Sequence, residues 1–122
     1  MAKISRDRGA RFEREVVSLC NDYGYPAFRT AQHKGKTGKA ADVEGVPGLH
    51  IEAKRRRSIG AYEWVHQAVE EASAEGKGNI PVVFCRADGE RMLAVMLADD
   101  FMQFYREWEA GEVLKKTDMN KE

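Results

Sequence analysis

Asp42, followed ten positions later by Glu52 and then by Lys54, puts two carboxylates and an amine within reach of one divalent cation and one water molecule. Side chains alternate faces along a strand, so in Ile51-Glu52-Ala53-Lys54 the acid and the amine share one surface, while Ile51 and Ala53 face the opposite layer. Taken alone, a Glu-x-Lys triplet reads as a cross-strand ion pair on a solvated sheet face. Its surroundings change that reading. Asp42 lies in a Gly-rich, strand-like stretch just upstream, and Glu13 lies on a helix before it, so three acids and a lysine follow in the order helix, strand, strand.

The elements that must position these groups follow from periodicity. From about Ser5 to Tyr23, Phe12, Val16, Leu19 and Tyr23 recur at helical spacing, with Ser5 or Asp7 available as a cap. Glu13 sits at the margin of that stripe. A carboxylate there needs a cation, a metal or a hydrogen-bond donor, and a structural pair with an arginine is one way to supply it. Gly24-Tyr25-Pro26 ends the helix, Ala27 to Thr30 reads as a short strand, and His33 to Lys39 as a polar loop. Ala41 to Glu44 and Leu49 to Lys54 form a hairpin around the turn Val46-Pro47-Gly48, which brings Asp42 near Glu52. A second helix runs from Ala61 to about Ala74, closed by Gly76 and Gly78. Ile80 to Cys85 is the apolar run of a strand buried on both faces, and Met92 to Leu97 pairs with it across Asp88-Gly89. Asp99 would cap a last helix that packs through Phe101, Phe104, Tyr105 and Trp108 and ends near Gly111, leaving 112–122 as a frayed tail. The expectation is one α/β domain over 1–111: a mixed central sheet of about five strands flanked by helices, in the order α-β-β-β-α-β-β-α.

Composition bounds the function. With 122 residues and 43% hydrophobic residues the chain is sized for one domain with a real core. It has no apolar run that could span a bilayer and no apolar leader, which implies a soluble, cytoplasmic protein with no membrane partner. Cys20 and Cys85 each sit in an apolar pattern without a neighbouring Cys or His, as buried reduced thiols do. The net charge is zero, yet residues 1–60 carry 13 Lys and Arg against 7 Asp and Glu, and residues 61–122 carry 7 against 13. The basic half holds Asp42, Glu52 and Lys54. Arg8 and Arg11 near the first helix, Lys34, Lys36 and Lys39 in the loop, and Arg55-Arg56-Arg57 after Lys54 form clusters suited to a phosphate backbone. Each alone would read as a solvated patch.

Over residues 5 to 108 the chain resembles the PD-(D/E)xK nuclease superfamily, the restriction-endonuclease-like fold, and within it is similar to archaeal-type Holliday junction resolvases and related phage nucleases. The residues that carry the resemblance are Gly9 to Glu15 with Glu13, then Asp42, then Glu52-Ala53-Lys54; Ala41 replaces the proline of the family's name. The resemblance implies a DNA endonuclease dependent on Mg²⁺ or Mn²⁺, acting in recombination and repair on DNA that includes branched forms. Asp42, Glu52 and the Ala53 backbone carbonyl would hold the metal, Glu13 would complete or bridge a second position, and Lys54 would serve the attacking water. Thr37 and its lysine neighbours, with Arg55, Arg56 and Arg57, would contact DNA.

Gln67 on the second helix is a further catalytic candidate, weighed against a surface glutamine. Trp64 and His66 are expected to pack or face solvent, and His33 and His50 lack ligand spacing to another His. A nuclease acting on flaps, ends or ordinary duplex remains an alternative, as does a non-catalytic DNA-binding module with the same fold. Cutting a junction twice in symmetric fashion would suit a homodimer. Some of the aromatic residues of the last helix could then serve a subunit contact, although core packing is their expected use.

Overall fold

A computed structural model describes residues 2–31 and 40–121, with side-chain placements for 8–31 and 40–119. The chain runs α1 (Ala2–Asp22), β1 (Phe28–Arg29), β2 (Val43–Glu44), β3 (Leu49–Arg56), α2 (Ala61–Glu75), β4 (Ile80–Ala87), β5 (Leu93–Val95) and α3 (Ala98–Lys121). The five strands form one sheet in chain order; β3 and β4 are parallel and the other neighbours antiparallel. Parallel neighbours need a crossover, and α2 supplies it.

Two apolar clusters close the sheet, one on each face. Phe12, Val16 and Cys20, spaced four apart on α1, pack with Ala27, Val43, Ile51 and Val82. Trp64, Val65 and Ala68 of α2 pack with Val83 and Cys85. Strand β4 feeds both clusters, as its apolar run predicts. Burying each large side chain contributes about 1.5–3 kcal/mol, so Phe12 and Ile51, at 1% and 0% exposure, anchor the α1 face. Both cysteines are free and buried, as expected, and burial raises both thiol pKa values.

Element boundaries differ from the sequence expectation where local signals compete. Helix α1 starts at Ala2, upstream of Ser5 and Asp7, and Tyr23 lies past its end, largely exposed. Strand β2 is only two residues long, with Asp42 just before it. Gly45, at φ +96°, follows β2, and a Cβ there would run into the Pro26 carbonyl, so only glycine fits beside β1. Gly76 closes α2 in the left-handed conformation, its N–H donating to the Ala72 carbonyl.

The last helix departs most. Asp99 lies inside its first turn and does not cap it, because the helix already begins at Ala98. It continues through Gly111 to Lys121, where an end near Gly111 and a frayed 112–122 were expected. One glycine costs a helix only about 1 kcal/mol, and the Glu112–Lys115 pair helps carry the next turn. Phe101, Phe104, Tyr105 and Trp108 do not form a core face; they are 40% to 60% exposed. Helical periodicity marks an apolar stripe but does not provide the surface that would cover it. Among the described residues, no helix is long and apolar enough to cross a membrane.

Candidate active site

Alternation along β3 sorts its side chains between two helices. Ile51, with Leu49 and Ala53 beside it, belongs to the α1 cluster. His50, Glu52 and Lys54 take the other side, where His50 meets Glu71 and Glu75 of α2.

Asp42 is placed by the backbone. Its N–H donates to the Ile51 carbonyl at 2.9 Å, its own carbonyl accepts from Thr30 N–H at 3.0 Å, and its Oδ2 accepts from Ala53 N–H at 2.9 Å. The N–H and C=O of a strand residue point to the same edge, so the Ala53 carbonyl also faces the Asp42 side. The β2–β3 hairpin therefore does what its spacing predicts.

An open pocket of about 490 Å³ collects most of the expected groups: Glu13, Asp42, Ala53, Lys54, Arg8, Arg55, Arg56 and Arg57, together with Gly9. Glu13 also accepts from Arg29 Nε at 2.9 Å, the arginine pairing that its half-buried position allowed. Arg55 leans toward Asp88, with Nε 3.7 Å from Oδ1, and Arg56 donates to the Arg55 carbonyl at 2.8 Å.

Glu52 does not line that pocket. It is 2% exposed, and its Oε1 lies 2.9 Å from His50 Nε2. Burial pushes its carboxyl up to about 8; the hydrogen bond with His50 opposes the rise, and the neighbouring Glu71 and Asp42 add to it. Asp42 is thus the hinge of the arrangement, lining the pocket on one side and touching Glu52 on the other. For His50, burial favours the neutral ring, but hydrogen bonds to Glu52 and Glu75 outweigh it and the net shift is upward.

The remaining candidates divide. Arg11 is exposed on α1 and outside the pocket lining. Lys34, Lys36, Thr37 and Lys39 lie outside the described residues. Gln67 is exposed, and its Nε2 donates to Glu71 Oε1 at 3.0 Å, so it reaches Glu52 only through Glu71. Trp64 packs in the α2 core and His66 faces solvent, as expected. His50, Glu71 and Glu75 were not singled out by spacing. The available signals were His50-x-Glu52 on one strand face and Glu71 and Glu75 four apart on one helix face.

A helix, a three-strand antiparallel unit, a crossover helix and a parallel β4 make up an α/β fold that a solved structure shares. Among solved structures the chain is similar to Hjc of Archaeoglobus fulgidus, a Holliday junction resolvase from an archaeal hyperthermophile, with a TM-score of 0.53 and 23% identity over 73% of this chain and 72% of that one. No family model matches the chain, and no curated protein does.

Proposed function

We propose that this chain is a metal-dependent DNA endonuclease that hydrolyses phosphodiester bonds and selects branched DNA of the Holliday-junction kind. The observation that carries the reading is the single pocket in which Glu13, Asp42 and Lys54 meet beneath Arg8, Arg55, Arg56 and Arg57, with Glu52 against Asp42 from behind.

The donor set suits Mg²⁺ or Mn²⁺. Hard cations prefer oxygen, and Glu52, held protonated near neutral pH chiefly by burial with Glu71 and Asp42 adding to the rise, would gain a charged partner from a cation placed between it and Asp42. Asp42, Glu52 and the Ala53 carbonyl would hold the ion, with Glu13 at its margin. When bound, such an ion lowers the pKa of a water and offsets charge on the phosphate. Lys54 orients the attacking water and balances charge that develops on the phosphate oxygens. Arg8, Arg55, Arg56 and Arg57 grip the backbone on either side of the scissile bond.

A junction carries two equivalent strands to cut, which fits a two-fold homodimer. The exposed α3 stripe supports one: rings that bury 150–250 Å² each, here about half exposed, offer roughly 400 Å². Leu97 and Met102, exposed at the start of the same helix, add to that surface toward the roughly 800 Å² per partner of a stable interface.

The test is cleavage of junction, flap, nicked, single-stranded and linear DNA with Mg²⁺ or chelator, beside a mass measurement in solution. Junction cleavage abolished by Asp42→Ala is expected. Retained cleavage in Asp42→Ala rejects the assignment, and preference for flaps or linear duplex replaces the substrate. The Glu13–Arg29 and Glu52–His50 pairs favour one second reading, a DNA-binding module whose acids serve as ion pairs. Metal binding without cleavage of any DNA in the panel would select it.

A further inference from the structure

We infer that His50, Glu52 and Glu71 form a second cation site on the α2 side of the sheet, built for a divalent first-row transition-metal ion such as Zn²⁺ or Co²⁺ rather than for Mg²⁺. His50 Nε2 lies 2.9 Å from Glu52 Oε1 and 4.0 Å from Glu71 Oε2, and one ligand atom from each residue falls within 4.8 Å of the others. Donors about 2.0–2.2 Å from a shared ion sit roughly 3–4 Å apart, so small side-chain shifts bring all three into range.

Each outer ligand is held by a partner that leaves one atom aimed inward. His50 Nδ1 lies 3.1 Å from Glu75 Oε1, the carboxylate–histidine arrangement that orients a metal-binding imidazole and turns Nε2 toward the cluster. Gln67 Nε2 donates to Glu71 Oε1, while Glu71 Oε2 is buried and, among the described residues, meets no donor other than the protonated carboxyl of Glu52. A buried oxygen whose near neighbours are an imidazole at 4.0 Å and a second carboxyl is poorly satisfied as a structural ion pair and useful as a ligand.

Charge points the same way. One imidazole faces Glu52, Glu71 and Glu75, and Lys77 reaches only the outermost of them, at 3.7 Å from Glu75 Oε2. A nitrogen donor selects against Mg²⁺, whereas imidazole with two carboxylates suits Zn²⁺, Co²⁺ or Mn²⁺. The site shares Glu52 with the proposed hydrolytic centre but does not depend on the reaction assigned there.

The purified protein titrated with Co²⁺ in excess Mg²⁺, followed by visible absorption and calorimetry, tests it. Expected is one Co²⁺ per chain, displaced by Zn²⁺. His50→Gln and Glu71→Gln should each weaken binding on the order of tenfold or more, and Gln67→Ala less. Circular dichroism separates lost binding from lost folding, and Glu71→Gln, at the rim, keeps the test open if His50→Gln fails to fold. Binding that survives in Asp42→Ala while cleavage is lost marks this site as separate from the hydrolytic one. No Co²⁺ binding under excess Mg²⁺, or binding indifferent to both His50→Gln and Glu71→Gln, overturns the proposal.

Discussion

The two faces of β3 are equally dry and chemically opposite. Ile51 is 0% exposed beneath α1, and Glu52, the next residue, is 2% exposed on the α2 side. Burial on the first face stabilises the fold directly, because apolar surface leaves water. On the second face burial penalises charge, and the penalty is met by hydrogen bonds, proton uptake and, when present, a cation. One strand thus holds the domain together with its odd residues and carries its buried titratable groups on its even ones.

The sharpest way to break the contrast is at the chemical face. If the proposed function holds, Asp42→Ala removes a ligand from a centre worth several kcal/mol, so cleavage should fall roughly 10³-fold or more while the circular dichroism spectrum is unchanged. Unfolding of the protein is the outcome that would instead give Asp42 a structural role.

At the apolar face the effects reverse. Ile51→Ala should lower unfolding free energy by about 2–5 kcal/mol in urea titrations. Cleavage per folded molecule should change far less than in Asp42→Ala. A loss below about 1 kcal/mol would mean that the α1 face is not the anchor.

A smaller effect separates the faces by pH. Glu52 is held up to about 8, against an ordinary value of 4.5, so between those values the folded metal-free protein keeps a proton that the unfolded chain has released. Stability therefore falls as pH rises through that window. His50 acts in the same direction, since its raised pKa lends stability that is lost as pH climbs through the folded value. Urea midpoints in chelator should drop from about pH 5 to about pH 8 by a free energy on the order of 2 kcal/mol. Glu52→Gln should flatten the slope, and Mg²⁺ should restore stability most at the higher pH. A slope unchanged in Glu52→Gln would show that this carboxyl is not the source.

The smallest effect concerns the basic rim. DNA affinity should fall steeply with salt, and Arg56→Ala should reduce the slope of log affinity against log salt by about one. A slope that is unaffected would remove Arg56 from the phosphate contacts.

Much of this was legible beforehand. The order of helices and strands, the hairpin that joins Asp42 to β3, the two-sided burial of β4 and the sharing of a face by Glu52 and Lys54 all follow from periodicity and turn residues. The last helix differs from expectation because Phe101, Phe104, Tyr105 and Trp108 announce an apolar stripe, and a stripe reads the same whether its cover is the chain's own core or a second copy. The role of His50 is not legible in the sequence because, beyond Glu52 on its own strand, its partners Glu71 and Glu75 lie more than twenty residues away on another element.

What the sequence by itself determined is local: which residues alternate, where the chain turns, and that basic groups gather in the first half. The tertiary structure alone decided that Glu52 sits behind the pocket rather than in it, and that α2 brings Glu71 and Glu75 onto His50. Strand period is set by the geometry of successive peptides, whereas the neighbours of a buried side chain depend on how distant elements pack, and that packing sets its charge state.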